Sequence, residues 1–172
     1  GSGNPHLIGA ILEEALEEDL AFYLHKRLFG PLGFTNYRLQ TDAQGQVYCG
    51  GGWFFQPQQL AIITQLMLQE GRWNNVQILS REWVAKCSAK YLPLLNANDQ
   101  NDYGYLFWHK TYVVGDREIK SYEGRGAGGQ YMFIIPELST TIVITSGNYR
   151  SGNPFLPEQV VEERILPLLL AN

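Results

Sequence analysis

Residues 122 to 136 read Tyr-Glu-Gly-Arg-Gly-Ala-Gly-Gly-Gln-Tyr-Met-Phe-Ile-Ile-Pro. A polar strand enters a cluster of four glycines (Gly124, Gly126, Gly128 and Gly129), and an apolar strand, Tyr131 to Ile135, leaves it. Glycine at this density between two strands marks a backbone that another group approaches closely. Two readings follow. In an enzyme the approaching group is substrate, and a free backbone N–H can stabilise an oxyanion. In a structural protein the segment is a glycine-rich hairpin with a bulge.

The rest of the chain places this hairpin in an α+β domain. Asn4-Pro5 resembles a helix start, and Leu7, Ile8, Ile11, Leu12, Ala15 and Leu16 follow at helical spacing. Asp19 is placed to cap a second helix that Gly30-Pro31-Leu32-Gly33 ends. Pro57 opens a third helix, Gln58 to Gln69, stopped by Gly71, and Ser80 caps a short fourth one through Cys87. Met67 reads as core, and Glu13, Glu14, Glu17 and Glu18 as a solvated face. A loop from Leu92 to Tyr103 precedes four strands: Tyr105 to Val113, Glu118 to Glu123, Tyr131 to Ile135 and Thr141 to Thr145. Gly115-Asp116 reads as a hairpin turn, and Glu158 to Leu170 as a closing amphipathic helix bent near Pro167. Helices, then consecutive strands, then a helix give one α+β domain: an antiparallel sheet with flanking helices, the terminal one covering a face.

Composition excludes several classes. The 172 residues suffice for one real core. A net charge of −4 without a basic run argues against nucleic-acid binding. No run of 18 apolar residues exists to span a membrane as a helix. Cys49 and Cys87 are far apart and read as reduced thiols, and His6, His25 and His109 share no metal motif, so neither metal nor cofactor is expected. His109 reads as an edge-strand histidine, with a cleft-lining role as its rival; Asp42 lies in a loop from which it could reach a substrate.

Six segments, in order, resemble the serine β-lactamase-like family of class C β-lactamases, DD-peptidases and related esterases and amidases. They are Ser2-Gly-Asn-Pro-His-Leu-Ile-Gly-Ala-Ile-Leu12, Leu28-Phe-Gly-Pro-Leu-Gly33, Gly50-Gly-Gly-Trp-Phe-Phe-Gln-Pro-Gln-Gln-Leu60, Gly71-Arg-Trp-Asn-Asn-Val-Gln-Ile-Leu-Ser-Arg-Glu-Trp-Val84, Tyr103-Gly-Tyr-Leu-Phe-Trp108 and the glycine strand. The resemblance implies a partial β-lactamase/transpeptidase-like fold and acyl-enzyme chemistry: a Ser in a Ser-x-x-Lys motif attacks a carbonyl while the Lys and a Tyr handle its proton. A Lys-Thr-Gly or His-Thr-Gly strand borders such a site, and a backbone N–H just beyond it completes the oxyanion hole.

Residue by residue, that third motif falls on Gly124-Arg125-Gly126, which makes Ala127 the oxyanion donor and Gly128 and Gly129 the hairpin that permits close approach. Arg125 stands where Thr is usual, and neither Lys nor His precedes it, which weakens the expectation of β-lactam recognition. Its guanidinium either binds a substrate carboxylate or forms a surface salt bridge with Glu123.

No Ser or Thr in the chain has Lys three residues later, and no Tyr-x-Asn occurs. In the resembling proteins these motifs lie upstream of the matching segments. The resemblance implies that Ser2 stands at the third place of a Tyr-x-Ser motif whose Tyr is lost. The expectation is therefore the C-terminal portion of a β-lactamase-like domain whose nucleophile helix is absent. That portion belongs to a serine hydrolase of small-molecule esters or amides and is inactive by itself. The alternative is a non-catalytic ligand- or partner-binding module on the same fold. Self-association through an exposed sheet edge is expected. The resemblance alone suggests a periplasmic or cell-envelope location.

Overall fold

The computed structural model describes residues 2–89, 92–93 and 101–171. Helix α1, Gly3–Leu16, carries the first apolar pattern but buries only Gly9. A Cβ at Gly9 would lie 2.5 Å from Cys49 Sγ, so the missing side chain lets α1 settle on a second glycine cluster, Gly50, Gly51 and Gly52, which follows Cys49. Helix α2, Leu20–Leu24, is capped as predicted: the Phe22 N–H donates to Asp19 Oδ1 at 2.8 Å. It runs on as a wider π turn, His25–Phe29. Two short pairs follow: β1, Arg38–Leu39, with β2, Trp53–Phe54, and β3, Arg72–Trp73, with β4, Val76–Gln77.

Between those pairs runs helix α3, Pro57–Leu68, with Pro57 at its first turn and the Gln59 side chain accepting from the Gln56 N–H at 2.8 Å. Gly71 ends it with φ +85°; a Cβ there would meet Leu79 O at 2.2 Å. Ser80 Oγ accepts from the Trp83 N–H at 3.1 Å and caps helix α4, Arg81–Ser88, so its hydroxyl has a structural duty. Aromatic side chains build much of the core here: Phe29 and Phe34 are buried with Leu32 and Leu66, and Tyr37, Trp53 and Phe55 pack around them.

The sheet is a run of antiparallel hairpins. In chain order its strands are β5, Leu92–Pro93; β6, Asn101–Gly104; β7, Phe107–Val114; β8, Arg117–Gly126; β9, Gln130–Ile135; and β10, Thr140–Ile144. Each pairs with the next, and β10 is the terminal strand. Three expectations are corrected. The segment 92–103 was read as loop, yet Asn101–Gly104 pairs with Phe107–Lys110. Tyr105 and Leu106, read as strand, form the tight turn between them with φ +50° and +68°, the sign that two-residue hairpins require. Strand β8 does not stop at Glu123 but continues through Gly126, because Gly124 and Arg125 stay in register with Met132 and Tyr131. Residues 94–100 of the predicted loop lie outside the described residues.

Alternation of side chains gives the sheet two apolar faces. Tyr112, Ile119, Tyr131, Phe133 and Ile135 pack under Val161 and Leu166 of the terminal helical segment. Tyr122 and Ile134 pack against Met67 of α3 and Val84 and Cys87 of α4. The terminal segment comprises α5, Leu156–Val160, a π turn, Val161–Ile165, and α6, Leu166–Leu170. The widened turn falls just before Pro167, whose ring cannot sit over the carbonyl four residues back in a regular α-helix.

Candidate functional site

The glycine cluster is divided by the fold. Gly124 and Gly126 belong to the β8 ladder, and Ala127, Gly128 and Gly129 form the turn into β9. Gly128 and Gly129 adopt φ +79° and +82°, which residues with a Cβ rarely take. Both positions are also crowded from within the chain. A Cβ at Gly128 would lie 2.4 Å from the Tyr149 ring, and one at Gly129 would lie 2.3 Å from Ser146 Oγ. A Cβ at Gly124 would meet Met132 Cε at 2.5 Å. The close approach that the sequence announces is therefore made, at these three positions, by the protein's own side chains.

The 146–149 loop fixes the turn from outside. Gly128 O accepts from the Asn148 N–H at 2.8 Å and from Ser146 Oγ at 2.6 Å. Gln130 Nε2 donates to Ser146 O, tying the same loop to the first residue of β9. Ala127 is exposed at the tip. No turn, loop or side-chain hydrogen bond among the described residues uses its N–H. Sequence reasoning did not link the 146–149 loop to the turn, since nothing local relates residues about twenty positions apart.

Arg125 does not face the same way as its glycine neighbours. Side chains alternate along a strand, so Glu123 and Arg125 point to the terminal-helix face while Gly124 and Gly126 mark the opposite one. The Arg125 side chain is only 9% exposed and the Glu123 side chain 0%. Arg125 Nε donates to Glu123 Oε2 at 2.7 Å, and Nη2 donates to Asn101 Oδ1 at 2.8 Å. Nη1 lies 3.3 Å from Glu158 Oε1. The guanidinium carbon sits 5.0 Å from the Trp108 ring centre and 5.6 Å from that of Tyr131. Of the two sequence readings, the ion pair with Glu123 is the one formed, and it is buried rather than on the surface.

The network extends further. Tyr112 Oη donates to Glu123 Oε1 at 2.7 Å, Tyr131 Oη donates to Glu158 Oε1 at 2.9 Å, and Lys110 Nζ donates to Glu158 Oε2. Burial pushes the Glu123 carboxyl above its ordinary range, although Arg125 and the Tyr112 hydroxyl oppose this. Burial and the neighbouring carboxylates push both tyrosines up, so their hydroxyls remain donors. For Arg125, burial works against the charge, but Glu123 and Glu158 outweigh it and raise its pKa. The sequence carried one signal for this: Ile119, Ser121, Glu123 and Arg125 share a strand face, and two opposite charges on a face that begins with Ile are candidates for a buried pair. Asn101, Lys110 and Glu158 carried none.

The remaining candidates have structural surroundings. Asp42 Oδ1 accepts from the Gln44 and Gln46 N–H groups at 2.9 and 3.0 Å, and Asp42 Oδ2 lies 3.0 Å from His6 Nε2. His109 is buried on β7, an interior strand rather than an edge, with its ring stacked 6.0 Å from that of Tyr122. Ser2 lies against the second glycine cluster; a Cβ at Gly50 would be 2.5 Å from Ser2 O. Among the described residues no group of three or more His, Cys, Asp or Glu is placed to hold a metal ion. No helix among them is long and apolar enough to cross a membrane.

Solved structures share this architecture. A protein from Bacillus anthracis assigned as a 6-aminohexanoate-dimer hydrolase superposes with a TM-score of 0.78 at 20% identity, over 95% of this chain and 41% of its own. A protein from Bacteroides dorei DSM 17855 assigned as a β-lactamase superposes with a TM-score of 0.69 at 17% identity, over 94% of this chain and 55% of its own. The chain has a β-lactamase-like fold. It spans about half the length of these neighbours or less. No protein-family model matches the sequence, and no curated protein matches it. The β-lactamase-like fold agrees with the family whose motifs the sequence resembles, and the antiparallel sheet with helices on both faces agrees with the predicted fold class.

Proposed function

We propose that this chain is the C-terminal portion of a serine hydrolase domain that cleaves an ester or amide through an acyl-enzyme, with the Ala127 N–H as one oxyanion donor. The observation that carries the proposal is the exposed Ala127 at the tip of a turn tied down by the 146–149 loop, its N–H used by no turn, loop or side-chain bond among the described residues. A preorganised donor of this kind needs no rearrangement as negative charge develops on a carbonyl oxygen, which is where such donors act. Gly124 and Gly126 keep the strand free of side chains on the face opposite Arg125. Arg125, turned away, contributes no side chain to substrate.

The reaction also requires a nucleophile with a base in hydrogen-bond reach. No Ser or Thr of this chain is followed at the third position by Lys. The chain by itself is therefore proposed to be inactive, with the nucleophile, its Lys and a Tyr supplied from outside it. The substrate is left at the level of an ester or amide: the two structural neighbours carry names with different substrates, and a shared fold transfers neither.

The test has two parts. The purified chain, given nitrocefin or p-nitrophenyl acetate, is expected to show no saturable turnover; turnover would mean that a nucleophile is present within it. The full translation product of the gene is expected to hydrolyse a p-nitrophenyl ester through a serine adduct visible by mass spectrometry. In that protein Ala127→Pro, which deletes the N–H, should lower kcat by about 100- to 1,000-fold. An unchanged kcat in a folded Ala127→Pro protein would remove Ala127 from the oxyanion site.

A further inference from the structure

The buried charges behind the glycine strand have no evident reason to be there for stability. Replacing a buried ion network by well-packed apolar side chains is often neutral or stabilising, so such a network is better explained by what it fixes than by what it adds. What it fixes here is specific. Arg125 is two residues from Ala127, and its three nitrogens are bound by β8 itself (Glu123), by β6 (Asn101) and by α5 (Glu158). Trp108 and Tyr131 flank the guanidinium from β7 and β9. Glu158 is held in turn by Lys110 and Tyr131. Few positions in a strand are constrained from so many elements, and this one adjoins the turn that carries the proposed donor.

We infer that Arg125 is a positioning residue that, through Glu123, Asn101 and Glu158, locks the Gly126–Ala127 peptide in the orientation an oxyanion donor needs, and so couples the terminal helical segment to the site. This rests on the acyl-transfer reading of Ala127. It gives Arg125 a role in the reaction without contact with substrate. An arginine fork holding three partners at fixed angles is suited to this, whereas a lysine at the same place keeps the charge and loses the geometry.

The test is backbone dynamics of the isotopically labelled full chain, compared with Arg125→Met, Arg125→Lys and Glu158→Gln. In the parent chain the Ala127 and Gly128 amides are expected to show order parameters of rigid backbone, about 0.85. In Arg125→Met and Glu158→Gln they should fall toward about 0.6, with Arg125→Lys between. The Gly115-Asp116 turn at the other end of β8 should not change in any of them. A drop shared equally by both turns, or no drop at Ala127 in any folded variant, would make the network merely structural and overturn the inference. Should Arg125→Met fail to fold, Glu158→Gln reads the same quantity with its Lys110 and Tyr131 contacts largely preserved in shape. The two readings fail separately. Loss of order at Ala127 without dependence of kcat on its N–H would sink the acyl-transfer role and leave the coupling. Dependence of kcat on Ala127 with unchanged order would do the reverse.

Discussion

Replacing Arg125 with Met removes the cation bonded to Glu123 while leaving an aliphatic stem of similar length between Trp108 and Tyr131. Glu123 is then fully buried with the Tyr112 hydroxyl as its remaining hydrogen-bond partner among the described residues. Glu158 is less affected, because Lys110 and Tyr131 still hold it. Breaking a buried ion pair from one side typically costs about 3–5 kcal/mol. Protonation of the stranded acid limits that cost. The Glu123 carboxyl already lies above its ordinary range, mainly through burial, with Arg125 the leading opposing influence. Without Arg125 it must rise further. An acid whose folded pKa exceeds its unfolded value contributes its stability fully below the unfolded pKa, and loses it as pH rises to the folded pKa. The slope is about 1.4 kcal/mol per pH unit over that interval. The destabilisation by Arg125→Met should thus be smaller near about pH 5 than near about pH 8, with the difference set by the extra rise. Urea unfolding followed by tryptophan fluorescence measures this at both pH values, Trp108 lying 5.0 Å from the guanidinium. Arg125→Met combined with Glu123→Gln should recover part of the loss at the higher pH. A cost below about 1 kcal/mol near pH 8, the range of an exposed salt bridge, or a cost independent of pH would refute the argument.

Other outcomes follow from single contacts. Gly9→Ala places a Cβ 2.5 Å from Cys49 Sγ and should destabilise by about 1–3 kcal/mol through overpacking; a Cys49→Ala background removes the sulfur but keeps a Cβ contact at 3.2 Å, so the cost should shrink by about 1 kcal/mol or more, and a thermal-unfolding cycle showing no such reduction would contradict the contact. For Asp42, partial desolvation acts to raise the carboxyl pKa, but the Gln46 and Gln44 amides and His6 outweigh it and hold the group below its usual range. Its stabilising contribution is therefore present above the unfolded pKa and lost as pH falls through the folded one, so Asp42→Asn should flatten the acid limb of the stability profile below about pH 4, as followed by circular dichroism. Helix α1 exposes Leu7, Ile8, Ile11 and Leu12, and β10 ends the sheet; light scattering should show mass rising with concentration, reduced by Ile11→Lys, and a monomer at every soluble concentration would refute self-association.

Much of the fold was legible because its determinants are short-range. The Asp19 and Ser80 caps, Pro57 at the first turn of α3, Gly71 at its end and the Gly115-Asp116 turn each act within a few residues, and each is found where the sequence put it. Short runs of β-branched and aromatic residues bounded by turn signals marked β7, β8, β9 and β10 for the same reason. The errors fell where the deciding partner is distant. Asn101–Gly104 has little strand character and becomes a strand because β7 offers it a ladder. His109 was placed at an edge because the sequence could not show that β6 covers β7.

The candidate site divides in the same way. Four glycines near a strand end announced a close approach, and the mapping onto Gly124-Arg125-Gly126-Ala127 put the candidate donor on a residue that is exposed at the turn. That much lies in the order of the residues. The tertiary structure alone decided what approaches: Tyr149 and Ser146 at Gly128 and Gly129, and Met132 at Gly124. It also decided which way Arg125 turns. Register fixed its face, and Glu158, thirty-three positions along the chain, supplied a partner for its charge. The sequence determined that the backbone here must be bare and free to take positive φ; only the packing of remote segments determined what holds it so.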